Sequence, residues 1–264
     1  MTVDYGHIMK HIPNLFTLLN LALGTVAIIF ILQTGQTIAF IDAEGFTQVD
    51  LPEKITWGAL LIFAAAIVDF LDGFLARLLK ATSPMGKQLD SLSDVVSFGV
   101  APGLIIYQLL RISYAREENG LDVSIAFLLP ALFIPCAAAW RLAKFNIDEE
   151  QQFSFKGLPT PAAGLFIAAL PLILWVPTET INITDYIINK WVLYIIILII
   201  SMLMVSNLPL MSMKFKDFSF KNNLPKYLLV IIGVAAIVLL KWSAVPILLV
   251  AYVVLSLVFK NKSS

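Results

Sequence analysis

Residues 69–94 place acidic side chains inside strongly apolar sequence, and they read DFLDGFLARLLKATSPMGKQLDSLSD. Asp69 and Asp72 lie in one long apolar block. Asp90 and Asp94 lie in the next block, after a Thr-Ser-Pro break. A carboxylate in the middle of a membrane helix costs about 2.5–3.5 kcal/mol. These four groups therefore require a water-filled cavity, neighbouring cations or a bound metal ion.

The spacing of the aspartates predicts that they converge on one site. Asp69 and Asp72 are three residues apart. Asp90 and Asp94 are four residues apart, so in each pair both side chains lie on one face of a helix. Pro84 suits the first turn of the second helix, and a reversal of the chain just before it brings the two pairs level. The carboxylates then lie roughly 12–20 Å from the reversal, measured along the helices.

Converging carboxylates are typical of a site for a hard divalent cation. Their oxygens suit magnesium or manganese, and a pair of such ions can clamp a transferring phosphoryl group. The neighbours fit a phosphate ligand: Arg77 offers a bidentate fork, and Gly73 allows close approach to the backbone. Ala76 and Gly86 keep the adjacent helix faces small. Ion pairs that only hold the helices together are the alternative, disfavoured because the four acids face one nearby base, Arg77.

The composition of the whole chain indicates a membrane protein. Of its 264 residues, 59% are hydrophobic and 14% are charged, and the mean hydropathy is +0.87. A soluble domain is about half apolar and a quarter charged. These values exclude a water-soluble enzyme, a disordered chain and a nucleic-acid binder. Lys and Arg together number 18, as do Asp and Glu, so the net charge indicates no particular partner.

Eight apolar blocks predict an all-α, polytopic transmembrane helix bundle. They lie at about 12–32, 56–80, 85–110, 125–145, 160–178, 191–210, 226–241 and 243–260. With the N-terminus inside, thirteen of the 18 Lys and Arg residues fall on the inner side, so we expect both termini to be cytoplasmic. We expect one membrane domain over residues 1–264. Its catalytic core would lie at about 12–210, with an extra C-terminal helix pair at about 226–260.

The acidic motif resembles the signature of a known enzyme family. The pattern Asp69-x2-Asp72-Gly73-x2-Ala76-Arg77-x8-Gly86-x3-Asp90-x3-Asp94 is similar to that of the CDP-alcohol phosphatidyltransferases. Members of that family are integral membrane enzymes that need a divalent metal. They transfer a phosphatidyl or similar group from a CDP-linked donor to an alcohol and release CMP. Residues 90–102, 141–146 and 156–164 resemble the phosphatidylserine synthase branch, and 12–20 resembles a common opening of the family.

This resemblance implies roles for the residues of the signature. The implied ligands of two Mg²⁺ or Mn²⁺ ions are Asp69, Asp72, Asp90 and, beside them, Asp94, which is also the implied proton acceptor. The implied contacts to the donor, CDP-diacylglycerol, are Gly73, Ala76, Arg77, Ser83 and Gly86. The resemblance also implies a homodimer. If the cell is bacterial, the enzyme would lie in the plasma membrane with its site facing the cytoplasm.

The acceptor implied by the serine branch is L-serine, whose carboxylate needs a partner. Arg141 is the best candidate, because it lies at the inner end of the fourth block and has no acid within four residues. Lys144 and Asn146 are the next candidates. Arg141 is alternatively only a positive anchor of its span at the inner membrane surface.

Two other functions stay open at this point. The first is the same transfer to another alcohol, such as glycerol phosphate or inositol phosphate, which the acidic motif alone does not separate from transfer to serine. The second is an ion-coupled transporter whose acids relay protons or sodium. Transporters usually carry matching broken helices in two repeated halves, whereas here the four acids fall in one hairpin.

Overall fold

Long helices make up most of the protein in the computed structural model. It describes residues 12–33, 39–41, 47–49, 53–117, 122–147, 155–176, 183–211 and 220–259. The α-helices are α1 (Ile12–Leu32), α2 (Glu53–Leu78), α3 (Pro84–Asp94), α4 (Ala101–Ala115), α5 (Phe133–Ile147), α6 (Thr160–Trp175), α7 (Thr184–Ile187), α8 (Lys190–Val205), α9 (Phe220–Leu240) and α10 (Ala244–Val258). Long helices therefore occupy all eight predicted blocks, which confirms the mainly helical fold class.

Short irregular and extended segments join the helices. A π-helical segment, Val95–Val100, connects α3 and α4 into one continuous helix. Turns of 3-10 helix precede α5 and join α9 to α10. Two small antiparallel strand pairs form between β1 (Ala39–Ile41) and β2 (Thr47–Val49), and between β3 (Phe155–Lys156) and β4 (Pro209–Leu210).

The apolar helices have the dimensions of membrane spans. Four stretches of the described chain are long and apolar enough to cross a membrane: Ile12–Leu32, Lys54–Leu78, Pro84–Ala115 and Lys226–Val258. The last of these contains a sharp turn, because Lys241 adopts a φ of 49° and α9 packs against α10. Two further apolar helices, Thr160–Trp175 and Lys190–Val205, are shorter.

The continuous helix from α3 to α4 lies at the centre of the bundle. In the most apolar 18 residues of this helix 67% are buried, against 22–28% in the corresponding stretches of the other three candidate spans. The outer faces of the surrounding helices carry exposed large apolar residues such as Phe70, Trp140 and Val238. Hydrocarbon chains solvate such faces, so this arrangement of exposed and buried surface is that of an integral membrane protein.

Helices α1 and α6 approach the π-helical segment closely from two sides. A Cβ atom on Gly24 of α1 would lie 2.8 Å from the Cα of Ser97, and one on Gly164 of α6 would lie 2.9 Å from the Cα of Phe98. The Ser97 hydroxyl also donates to the carbonyl oxygen of Asn20 at 3.0 Å. Asp94, the last residue of α3, is thereby held at a tightly packed point of the bundle.

Candidate active site

Three of the four aspartates form a compact acidic triad. One carboxylate oxygen from each of Asp69, Asp72 and Asp90 lies within 4.8 Å of the other two. Asp72 is buried, and the other two are half-buried. Within the described ranges, no Lys or Arg forms an ion pair with any of the three. Hard oxygen ligands this close together fit a divalent cation, which would offset the repulsion between them.

The chain reversal between α2 and α3 brings the triad together. Ser83 caps α3, since its hydroxyl accepts a hydrogen bond from the backbone N–H of Gly86 at 2.9 Å. Pro84 occupies the first turn, as predicted. This start of α3 places its acidic face opposite the acidic face of α2. The predicted convergence of the two helices is therefore confirmed for Asp69, Asp72 and Asp90.

Asp94 lies next to the triad but outside it. Its side chain is 6% exposed, and Asp69 lies within hydrogen-bonding reach of both Asp90 and Asp94. Asn20 of α1 donates from Nδ2 to Asp94 Oδ1 at 3.4 Å. Asp94 is thus connected to the triad through Asp69, deeper in the bundle. This position suits a group that exchanges a proton beside a metal site.

Helix α1 supplies polar contacts that the spacing of the acidic motif did not reveal. The Thr17 hydroxyl lies 2.7 Å from Asp72 Oδ2, and both side chains are buried. Ser93 Oγ donates in turn to the carbonyl oxygen of Thr17 at 3.1 Å. Thr17 and Asn20 are three residues apart on a mainly apolar helix, a spacing that could have indicated inward-facing polar contacts.

A pocket of about 590 Å³ opens beside the triad. Its walls include two of the triad aspartates, every predicted donor contact and one further cation: Asp72, Asp90, Gly73, Ala76, Arg77, Ser83, Gly86 and Lys87. The expectation that Arg77 is the only nearby base is therefore wrong. Lys87 lies one helical turn before Asp90, a spacing that could have indicated this second base.

Gly73 has no side chain, and the volume beside it in this pocket is not filled by other residues. A Cβ atom at this position would meet only Arg77 Nη1, at 3.7 Å, which is an ordinary van der Waals distance. Packing between helices therefore does not require glycine here, in contrast to Gly164. The free volume at Gly73 is available to a ligand that approaches the backbone of α2.

The predicted acceptor residues have different surroundings. Arg141 is 9% exposed, its Nη1 donates to Thr160 Oγ1 at 3.2 Å, and its Nε has no hydrogen-bond partner among the described residues. Arg141 also interacts electrostatically with Asp94. Lys144 donates instead to Asn207 Oδ1, and Asn146 donates from Nδ2 to Ser91 Oγ at 2.8 Å. Arg141 is thus the one of these three that combines burial with an unpaired donor.

Comparison with known proteins agrees with this geometry. The family model described as CDP-alcohol phosphatidyltransferase matches residues 10–203. A relative from Helicobacter pylori named CDP-diacylglycerol–serine O-phosphatidyltransferase is 30% identical over 249 residues, which cover 93% of this chain and 89% of the relative.

Relatives with the same name occur in other bacteria. One from Bacillus subtilis is 32% identical over 168 residues, covering 61% of this chain and 76% of the relative. One from Mycobacterium tuberculosis is 28% identical over 253 residues, which cover 92% of this chain and 76% of the relative. The family match includes all four aspartates of the motif and confirms the resemblance. The chain belongs to the CDP-alcohol phosphatidyltransferase family.

Proposed function

We propose that the protein transfers the phosphatidyl group of CDP-diacylglycerol to the hydroxyl of L-serine, giving phosphatidylserine and CMP. The observation that carries this proposal is the pocket of about 590 Å³, which is lined by two acidic residues, Asp72 and Asp90, and two basic residues, Arg77 and Lys87. A site for a diphosphate needs both acidic and basic side chains, because carboxylates hold divalent cations and basic side chains pair with phosphate oxygens. The relatives named for transfer to serine support the choice of acceptor.

The acidic side chains have separate roles in this proposal. Asp69, Asp72 and Asp90 hold the metal, as two Mg²⁺ or Mn²⁺ ions, with Asp94 adjacent. Bound divalent ions supply charge neutralisation for the diphosphate and for the leaving CMP. Asp94 accepts the proton of the serine hydroxyl as that oxygen forms a bond to the phosphorus bearing the diacylglycerol. The bond from this phosphorus to the CMP oxygen breaks, and CMP leaves with the electron pair.

In this proposal the residues that line the pocket bind the donor, CDP-diacylglycerol. Arg77 and Lys87 pair with the diphosphate oxygens, and Gly73, Ala76 and Gly86 leave room for them. The Ser83 hydroxyl accepts a hydrogen bond from the Gly86 N–H. The hydroxyl proton of Ser83 can therefore be donated to a phosphate oxygen. Holding the reacting phosphorus beside the acceptor contributes much of the rate, because an ionised carboxylate is a weak base.

Acceptor binding centres on Arg141 in this proposal. A guanidinium carries five N–H donors, and within the described part of the chain Thr160 takes up one through Nη1. The remaining donors can bind the serine carboxylate as a fork. Lys144 and Asn146 would complete this side of the site. Arg141 and Asp94 are close enough to interact electrostatically, which supports an acceptor held near the proposed proton acceptor.

The membrane placement follows the same reasoning. We propose eight spans with both termini cytoplasmic, since long helices occupy each of the eight apolar blocks and α9 and α10 form a hairpin. Residues 1–264 would form one domain, with a catalytic core at about 12–210 and an added pair at about 226–260. The site would face the cytoplasm, in the plasma membrane of a bacterium, and the family resemblance favours a homodimer.

An acceptor assay on the purified protein tests the proposed function. The protein is supplied with CDP-diacylglycerol, radiolabelled serine and Mg²⁺ or Mn²⁺, and both CMP and lipid product are measured. We expect one CMP per phosphatidylserine and no turnover after chelation of the metal. Parallel reactions contain glycerol phosphate or inositol phosphate in place of serine. CMP release with one of those alcohols, and none with serine, would contradict the proposal.

A further inference from the structure

The C-terminal helix α10 lies beyond the family match, which ends at residue 203, yet it contacts a segment next to the proposed acceptor site. The Tyr252 hydroxyl donates to the carbonyl oxygen of Met211 at 3.0 Å. Ser256, one turn further along α10, accepts from the Met211 N–H at 3.1 Å and donates to the Tyr252 carbonyl oxygen at 2.6 Å. Two side chains of α10 thereby bind both backbone polar groups of Met211, the residue that follows β4.

Backbone hydrogen bonds connect Met211 to the start of α6. Strand β4 pairs with β3, and the Gly157 N–H then donates to the carbonyl oxygen of Leu208 at 2.8 Å. Gly157 adopts a φ of 76°, and a Cβ atom there would lie 2.7 Å from the carbonyl oxygen of Ser206. The segment before α6 is therefore locked against residues 206–211. Three residues after Gly157 comes Thr160, whose Oγ1 accepts from Arg141.

Tyr252 and Arg141 also lie near each other in the bundle. The two side chains are close enough to interact electrostatically. The Tyr252 O–H is donated to Met211, so the phenolic oxygen faces Arg141 as an acceptor and not as a donor. Arg141 is buried, and its Nε is unpaired among the described residues, so it keeps a donor for a ligand.

We infer that Tyr252 is a positioning residue for the acceptor subsite. Together with Ser256 it holds residues 208–211, and through them Thr160 and Arg141, in the arrangement that receives the carboxylate of serine. The inference rests on the proposed function. It assigns the added helix pair a part in acceptor affinity, whereas the metal and donor residues all lie within the family match.

Removal of one hydroxyl group tests this role. Tyr252→Phe keeps the ring and loses the hydrogen bond to Met211, and we expect the KM for serine to rise roughly three- to tenfold. The kcat at saturating serine and the KM for CDP-diacylglycerol should not change. Ser256→Ala, a second variant acting on the same residue, should raise the KM for serine in the same direction.

Tyr194→Phe is the matched control. It also removes a tyrosine hydroxyl that donates to a backbone carbonyl, that of Phe127, at 2.7 Å. Tyr194 lies in the first turns of α8, at the other end of that helix from β4. We expect this variant to leave the KM for serine unchanged.

A double variant separates positioning from general loosening of the fold. If Tyr252 acts through Arg141, then Tyr252→Phe should not lower kcat/KM for serine further in an Arg141→Ala background. An unchanged serine KM in Tyr252→Phe, an equal rise in Tyr194→Phe, or multiplied losses in the double variant would overturn the inference alone. Absence of serine turnover in the unsubstituted protein would overturn the proposed function, and this inference with it.

Discussion

The hydroxyl of Thr17 lies 2.7 Å from a carboxylate oxygen of Asp72, so the first helix contacts the acidic triad directly. The two residues are 55 positions apart in the chain, and both are buried. A donated hydrogen bond to one carboxylate oxygen fixes the rotation of the group and so directs the other oxygen. Contacts of this kind orient metal ligands.

We expect Thr17→Val to weaken the response of the enzyme to metal. Valine has the shape of threonine without the hydroxyl, so Asp72 would lose its orienting partner. The metal concentration for half-maximal activity should rise roughly tenfold or more. Thr17→Ser keeps the donor and serves as the control. An equal metal dependence in the valine and serine variants would show that this hydrogen bond does not orient a ligand.

We expect Arg77 and Lys87 to share the binding of the donor diphosphate. Both line the pocket with Asp72 and Asp90, so loss of either should weaken binding of CDP-diacylglycerol without abolishing it. Arg77→Lys keeps the charge but loses the bidentate fork, and it should weaken binding less than Arg77→Ala. Donor affinity is measured by titration, with Mn²⁺ binding as the control for an intact metal site. Unchanged donor affinity in Arg77→Ala, Lys87→Ala and their combination would remove both residues from the donor site.

We expect Gly73→Ala to block the donor while the protein folds normally. The added methyl group would meet only Arg77 Nη1 at 3.7 Å, so it would occupy pocket volume and not helix packing. Gly164→Ala is the contrasting variant, because its Cβ would lie 2.9 Å from backbone and side-chain carbons of Phe98. Overpacking there should cost about 1–3 kcal/mol of stability. Thermal unfolding and donor binding are measured for both, and normal donor binding by Gly73→Ala would contradict the assignment.

We expect Arg141→Ala to raise the KM for serine while donor binding holds. Loss of a charge-assisted hydrogen bond costs about 1.5–3 kcal/mol, which corresponds to roughly ten- to a hundredfold in KM. Arg116→Ala, which also removes a guanidinium but at an exposed arginine paired with Asp185, is the control and should leave the KM for serine unchanged. A normal serine KM in Arg141→Ala, in correctly inserted protein, would leave Arg141 as an anchor of its helix.

Local patterns predicted the helices and the acidic cluster because their causes are local. The spacings of three and four residues put each pair of aspartates on one helix face, and Pro84 marked the reversal that joins the pairs. Thr17, Lys87 and Tyr252 received no functional role from those patterns. Thr17 and Tyr252 reach their partners through packing between helices distant in sequence, which periodicity does not specify. Lys87 is local, but its place in the pocket depends on how α2 and α3 face each other.

The π-helical segment likewise had no signal in the sequence. Val95–Val100 reads as a continuation of an apolar helix, and its π-helical hydrogen-bond spacing became visible only in the structure. It follows directly after Asp94, and α1 and α6 approach it closely at Gly24 and Gly164. The widened turn reflects tertiary packing around the site.

Turnover of the Asp90→Asn protein tests most directly the claim that the acidic triad is the active site. The substitution removes one charge and keeps the shape of the side chain. Asp185→Asn, at an exposed carboxylate paired with Arg116, is the matched control. We predict that phosphatidylserine formation from CDP-diacylglycerol and serine falls by orders of magnitude in Asp90→Asn, is not restored by excess substrate, and stays normal in Asp185→Asn. Near-normal turnover by the Asp90→Asn protein would contradict the account.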